Sequence, residues 1–162
     1  MIYGIRKDYQ GAVFLDDKAI SEISWREWSN LRKRKLSYIF QGLELFDGLT
    51  ARENILLKNS ITGFQTKQRI DEMATALGIA EFMERKAGIL SFGQQQRVAI
   101  IRALCQPFSF LLADECFSHM DLSNTEHAYK LICEECNTQG AGLLLTSLNH
   151  TGFLKADERM RL

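Results

Sequence analysis

An α/β fold built on a mostly parallel sheet is the class this sequence predicts, and three observations carry it. Two short apolar runs, 108–113 and 142–146, are too short for helices and suit buried parallel strands. Segments of helical periodicity precede and separate them, and strands alternating with helices indicate a parallel sheet. The only proline is Pro107, so no obvious linker divides the 162 residues. That length fits one domain, and a domain of about 150 residues hides roughly 70% of its unfolded surface.

Val13-Phe14-Leu15 followed by Asp16-Asp17 reads as a short strand entering a turn. Trp25 to Arg34 is charged and amphipathic, a short helix, and Leu36 to Gln41 a short strand. Thr50-Ala51-Arg52-Glu53 is an S/T-x-x-E capping box opening a helix that carries Ile55, Leu56 and Leu57. Between Thr66 and Leu77, apolar Ile70, Met73, Ala74 and Leu77 fall at i, i+3, i+4 and i+7, an amphipathic helix that Gly78 stops. Ala80 to Lys86 predicts another short helix. Gln94 to Leu104, with Val98, Ala99, Ile101 and Ala103, predicts a longer one ending before Pro107. Leu122 to Gln139 is helical, with Gly140 after it, and Gly142 to Thr146 is the second buried strand.

Composition narrows the classes of function. Lys+Arg and Asp+Glu both number 20, so the formal net charge is zero. Such a chain has no global field to attract nucleic acid or anionic lipid, and near-neutral chains tend to self-associate. No apolar run approaches the ~20 residues that span a bilayer, and the first residues lack the apolar stretch of a signal peptide. A cytoplasmic protein is expected. Cys133 and Cys136 form a C-x-x-C, but no second pair or His cluster supplies the other ligands of a zinc site. They fit two helical residues three apart, packing as small hydrophobes.

Two constellations carry chemistry. In Phe110-Leu111-Leu112-Ala113-Asp114-Glu115 an apolar strand ends in adjacent carboxylates. At the C-terminal end of a parallel strand such residues project into the crevice where ligands bind. The Asp can hold Mg²⁺ beside a triphosphate, and the Glu can polarise an attacking water. A solvated acidic turn would look the same in isolation. The second constellation, Leu90-Ser91-Phe92-Gly93-Gln94-Gln95-Gln96-Arg97, lies between a loop and a helix. Ser and Gly at a helix start leave backbone N–H groups free to meet a phosphate. Alone, it is also an ordinary Ser-capped helix with a polar first turn.

Together, in this order, the two stretches resemble the ABC ATPases, whose signature L-S-G-G-Q-x-Q-R precedes an apolar helix and then Walker B. Tyr38-Ile39-Phe40-Gln41 resembles the Q-loop, and the stretch Leu45 to Ile55 resembles the segment after it that faces the membrane partner. Ser118-His119-Met120-Asp121 resembles the D-loop, usually S-A-L-D. The stretch after the Q-loop is most similar to exporters of the lipoprotein-release and macrolide-export type. The resemblance covers roughly Tyr3 to the end. It implies an incomplete P-loop NTPase (RecA-like) parallel sheet with an ABC-type helical subdomain. As one partial ATPase domain over 1–162, it would have its helical subdomain at about 50–105 and its core sheet at 1–49 and 106–162.

The same resemblance assigns roles. Glu115 and Gln41 would be catalytic, and Asp114 with Gln41 would face Mg²⁺. Ser91, Phe92, Gly93, Gln94, Ser118 and Asp121 would face nucleotide. Mg-ATP is the implied cofactor. A transporter permease and a second ABC ATPase subunit are the implied partners, with the chain peripheral to the inner membrane through the permease.

Four departures qualify this. No G-x-x-x-x-G-K-[ST] string occurs in the 162 residues. Met1 to Ile5 resembles the end of the helix that follows that loop, so the loop, its strand and the adenine-stacking aromatic would precede Met1. Phe92 stands where the family has glycine. Cys116 replaces a common proline, and Ser147 occupies the place of the switch histidine, with His150 three residues later. The expected function is an ABC-transporter ATP-binding subunit in a form unable to hydrolyse ATP alone. The alternative is a non-catalytic module docking on a permease or an intact ATPase. With the family's neighbouring strand absent, the edge of 142–146 is expected to be unpaired. A second copy or the segment Met1 to Leu15 would then cover it.

Overall fold

The computed structural model of the chain describes residues 3–5, 10–147 and 157–158. Two-residue strands β1 (Phe14–Leu15) and β2 (Lys18–Ala19) form an antiparallel hairpin around the Asp16-Asp17 turn. Helix α1 (Trp25–Arg34) starts at a Ser24/Glu27 capping box, with Ser24 N–H donating to Glu27 at 2.8 Å. Its Trp28 packs with Ile20 and Leu36 in a small cluster that Tyr3 and Leu15 flank.

Strands β3 (Leu36–Ile39), β4 (Phe110–Asp114) and β5 (Gly142–Thr146) form one parallel sheet in the order β3-β4-β5. In this sheet Leu36 faces Phe110, and Asp114 faces Thr146. The strand at 36 ends at Ile39 rather than Gln41. On one face Ile39, Leu111, Ala113, Leu143 and Leu145 meet the main core. The opposite face carries Phe110, Leu112 and Leu144.

Helices α2 (Ala51–Asn59), α3 (Lys67–Ala76), α4 (Phe92–Leu104) and α5 (Leu122–Gln139) supply the rest of that core, including Ile55, Met73, Ile101 and Ile132. Their ends follow the sequence. Thr50 forms the capping box with Glu53, and Gly78 and Gly140 close α3 and α5 at φ 62° and 61°. Among the described residues, no helix is long and apolar enough to cross a membrane.

The structure corrects several expectations. Ala80 to Lys86 is not a helix; only Ala80–Phe82 makes a single 3₁₀ turn. The first turn of α2 draws the rest open, because Ala51 N–H donates to Arg85 O and Arg52 N–H to Met83 O, both at 2.9 Å. Tyr3 to Ile5 is a turn and bend with Gly4 at φ 74°, and the residues before Tyr3 that would carry the expected helix end lie outside the described ones. Phe14–Leu15 pairs with β2, so it does not cover β5, which lies at the sheet edge among the described residues with Leu144 39% exposed. Met1 and His150 lie outside the described residues.

Candidate functional site

The candidate residues cluster at the C-terminal ends of the three parallel strands and at the start of α4. Asp114 ends β4, with hydroxyls from both neighbouring strands on its carboxylate. Tyr38 Oη donates to Oδ2 at 2.8 Å and Thr146 Oγ1 to Oδ1 at 2.6 Å. Burial, then the hydrogen bond to Asp114 and its charge, push the Tyr38 phenol up to about 12. Glu115 follows with φ 49°, a left-handed conformation that costs a non-glycine residue energy and recurs at functional sites. Its N–H donates to Thr146 O at 3.2 Å, which ties the turn to β5.

Gln41 lies just past β3, in an exposed turn. The chain beyond it is held by Arg102 of α4, which donates to the Glu44 carbonyl at 2.5 Å and to the Leu43 carbonyl. Leu43 and Glu44 are both left-handed, at φ 58° and 52°, so this clamp holds a strained loop. Burial lowers the Arg102 pKa. The next loop is organised by buried Asn54, which accepts from Phe46 N–H at 2.8 Å and donates to the carbonyls of Phe46 at 3.1 Å and Thr50 at 2.9 Å.

Ser91 is the N-cap of α4. Its Oγ accepts from Gln94 N–H at 3.3 Å, and its own N–H donates to Gln94 Oε1 at 2.9 Å. The cap thus engages the Ser91 and Gln94 amides, so the Ser91 N–H is not free in the way the sequence suggests. Helix geometry leaves those of Phe92 and Gly93 without an intrahelical acceptor.

The segment after Glu115 is fastened to this turn. Buried Gln96 donates to Ser118 Oγ at 3.2 Å and accepts from His119 N–H at 3.3 Å. The Phe92 ring meets the His119 ring edge-on at 4.4 Å between centroids. A Cβ on Gly93 would lie 2.9 Å from the His119 carbonyl oxygen, so the close approach requires glycine. Asp121 caps α5 by accepting from Asn124 N–H at 2.8 Å; that bond, with the one from the Asn124 side chain, lowers its pKa. Arg97 joins the two helices, donating to Gly93 O at 3.1 Å and Asn124 Oδ1 at 3.1 Å.

Ser91, Phe92, Gly93 and Gln94 therefore share one unit with Ser118 and Asp121. Asp114, Glu115 and Gln41 stand at the strand ends. Sequence reasoning missed Tyr38, Arg102, Asn54 and Gln96 as organisers of the site. Tyr38, Asn54 and Gln96 lie inside the family-like stretches, so their side-chain chemistry was the available signal. Among the described residues no three His, Cys, Asp or Glu are grouped to hold a metal. The oxygens around Asp114 do suit a hard cation carried with its waters and a phosphate, which needs only one or two protein carboxylates.

The ABC transporter family matches residues 1–118. The chain is 35% identical over 141 residues to the lipoprotein-releasing system ATP-binding protein LolD of Aquifex aeolicus, covering 85% of this chain and 62% of that protein. It is 36% identical over 148 residues to the methionine import ATP-binding protein MetN of Bradyrhizobium diazoefficiens, covering 90% and 42%. The dimeric structure of MJ0796, a bacterial ABC transporter cassette, has a TM-score of 0.76 at 27% identity, covering 90% of this chain and 66% of that one. That cassette has also been solved in a post-hydrolysis state bound to ADP and Pi, with a TM-score of 0.72 at 29% identity. The chain thus spans less than two thirds of these curated relatives, and it belongs to the ABC transporter ATP-binding family.

Proposed function

We propose that this chain supplies the signature, Q-loop and Walker B parts of an ABC-transporter ATPase that couples ATP binding and hydrolysis to transport. The observation that carries the reading is the fastening of the Ser91–Gln94 turn to Ser118–Asp121, directly after the Asp114-Glu115 strand end. Asp114 and Gln41 would hold Mg²⁺, which supplies charge neutralisation on a triphosphate. Glu115 polarises the attacking water. Ser91, Phe92, Gly93, Gln94, Ser118 and Asp121 face nucleotide held by a second ATPase subunit. The region 50–105 acts as the helical subdomain against the sheet portion, and a permease holds the chain on the cytoplasmic side of the inner membrane.

These 162 residues contain no G-x-x-x-x-G-K-[ST] loop, the element whose amides and lysine cradle the β- and γ-phosphates. Catalysis of phosphoryl transfer is mainly positioning and charge stabilisation, so this polypeptide by itself does not turn ATP over. Phe92, an exposed ring at the signature turn, favours a second reading: a non-catalytic module docking on a permease or an intact ATPase. Titration calorimetry of the 162-residue chain tests this inactivity. No saturable Mg-ATP site and no turnover above blank are expected at millimolar nucleotide, and a micromolar site would refute this.

A further inference from the structure

We propose that Tyr38 is a positioning residue for Asp114, aiming its carboxylate without neutralising it. The inference rests on the reading of Asp114 as the Mg²⁺-facing carboxylate and adds a residue to that site. Tyr38 lies opposite Leu112 in the β3–β4 register, two residues before Asp114. Two residues of strand span about 6.6 Å, and strand side chains lean along the strand, so a phenol can bridge that offset. The hydroxyl arrives at 2.8 Å from Oδ2, while Thr146, directly opposite Asp114 on β5, reaches Oδ1. Each carboxylate oxygen is therefore held from a different neighbouring strand.

The Tyr38 ring is itself seated. Its centroid is 4.2 Å from that of Phe40 and 5.1 Å from that of Tyr3. With the ring packed, the phenol oxygen is held within hydrogen-bond reach of Asp114 Oδ2. The chemistry of the donors matters as much as their geometry. A lysine or arginine in either place would fix the carboxylate equally well but cancel its charge and compete with a cation. Two neutral hydroxyls orient the group and leave its negative charge available.

The test uses the full chain and Tyr38→Phe, which keeps the ring and removes only the hydroxyl. An unchanged amide spectrum checks the fold. Carbon–proton couplings are expected to show one Asp114 χ1 rotamer in the parent and averaging over several in the variant. A single rotamer in both would overturn the proposal. A parent measurement avoids dependence on the variant: a slowly exchanging Tyr38 hydroxyl proton with a cross-peak to the Asp114 Hβ protons is expected, and its absence at low temperature counts against the idea. Titration with Mn²⁺ alone gives the second readout. Selective broadening at Asp114 and Thr146 is expected in the parent, with affinity reduced about 10-fold to 100-fold in Tyr38→Phe. Equal affinity in both proteins would overturn the positioning role. Absence of broadening in the parent would overturn the Mg²⁺-facing reading, and the rotamer result would still decide Tyr38.

Discussion

Removing the Arg69 guanidinium should destabilise the fold by about 2 kcal/mol. Glu135 on α5 is only 4% exposed, yet it is a carboxylate. It accepts from Arg69 Nε at 3.0 Å and Nη2 at 2.5 Å, and from Gln65 Nε2 at 3.1 Å. Breaking a buried pair by deleting one partner costs about 3–5 kcal/mol, because a desolvated charge is left behind. Two features reduce that here: the Arg69 side chain is 35% exposed, and Gln65 still donates. In Arg69→Met, which keeps most of the aliphatic stem, about 2 kcal/mol corresponds to a Tm drop of about 4–8 °C for a chain of this size.

Urea unfolding at low and high salt measures the effect. Screening weakens exposed pairs far more than buried ones, so the loss should persist at high salt. The double variant Arg69→Met/Glu135→Leu should recover most of it, since apolar replacement of a buried pair is often neutral. A single-variant loss below about 0.5 kcal/mol, or a double variant as unstable as the single, would refute the reasoning. The pair matters because it ties α3 to α5, helices distant in sequence, and Gln65 adds a 3.3 Å bond to Leu104 O at the end of α4.

Gly93→Ala should cost about 1–3 kcal/mol, because its Cβ would meet a backbone carbonyl that cannot rotate away; amide exchange should rise first in 117–120. With a thiol reagent at neutral pH, partly exposed Cys133 should react first, and Cys105, Cys116 and Cys136 only on unfolding. Burial raises the thiols of Cys105 to about 12, Cys136 to about 11 and Cys116 further. Equal labelling of all four in the folded chain would contradict the burial. The Tyr38 phenol, raised to about 12, favours folding fully below the unfolded tyrosine pKa near 10. That contribution is lost as pH rises through the folded value, so stability should decline between roughly pH 10 and 12, less steeply in Tyr38→Phe.

Much of this was legible in the residues. Helix starts at Thr50 and stops at Gly78 and Gly140 follow from local chemistry, because a cap or a left-handed glycine acts within one turn. The buried strands 110–114 and 142–146 follow from apolar runs too short for helices. What was illegible depends on partners far along the chain. The segment after Ala80 has helical composition but is opened by hydrogen bonds from α2. The start of α4 at Phe92, two residues before the expected Gln94, is the exception, because it follows from the local Ser91 cap. Tyr38 and Arg102 reveal their roles only through Asp114 and the Leu43–Glu44 backbone, which folding brings to them.

The two positions that the signature resemblance writes as glycine have different physical status in this chain. At position 93 the fold demands glycine, because the His119 carbonyl closes on it. At position 92 no packing contact among the described residues does. The residue is the first of α4, its ring is 41% exposed, and its ring contact is the edge-on one with His119. A glycine there would lose that contact, worth about 0.5–1.5 kcal/mol, and gain backbone entropy to be lost on folding. Stability therefore favours the phenylalanine, and any advantage of glycine at 92 must lie in what docks on the turn from outside. An exposed ring on the first residue of α4 adds bulk that a glycine would not place beside the amides a phosphate would approach. Phe92→Gly should consequently lower stability slightly while opening the turn to anions. If the variant were more stable than the parent, the phenylalanine would be strained in the fold, and the argument that its cost lies in docking would fail.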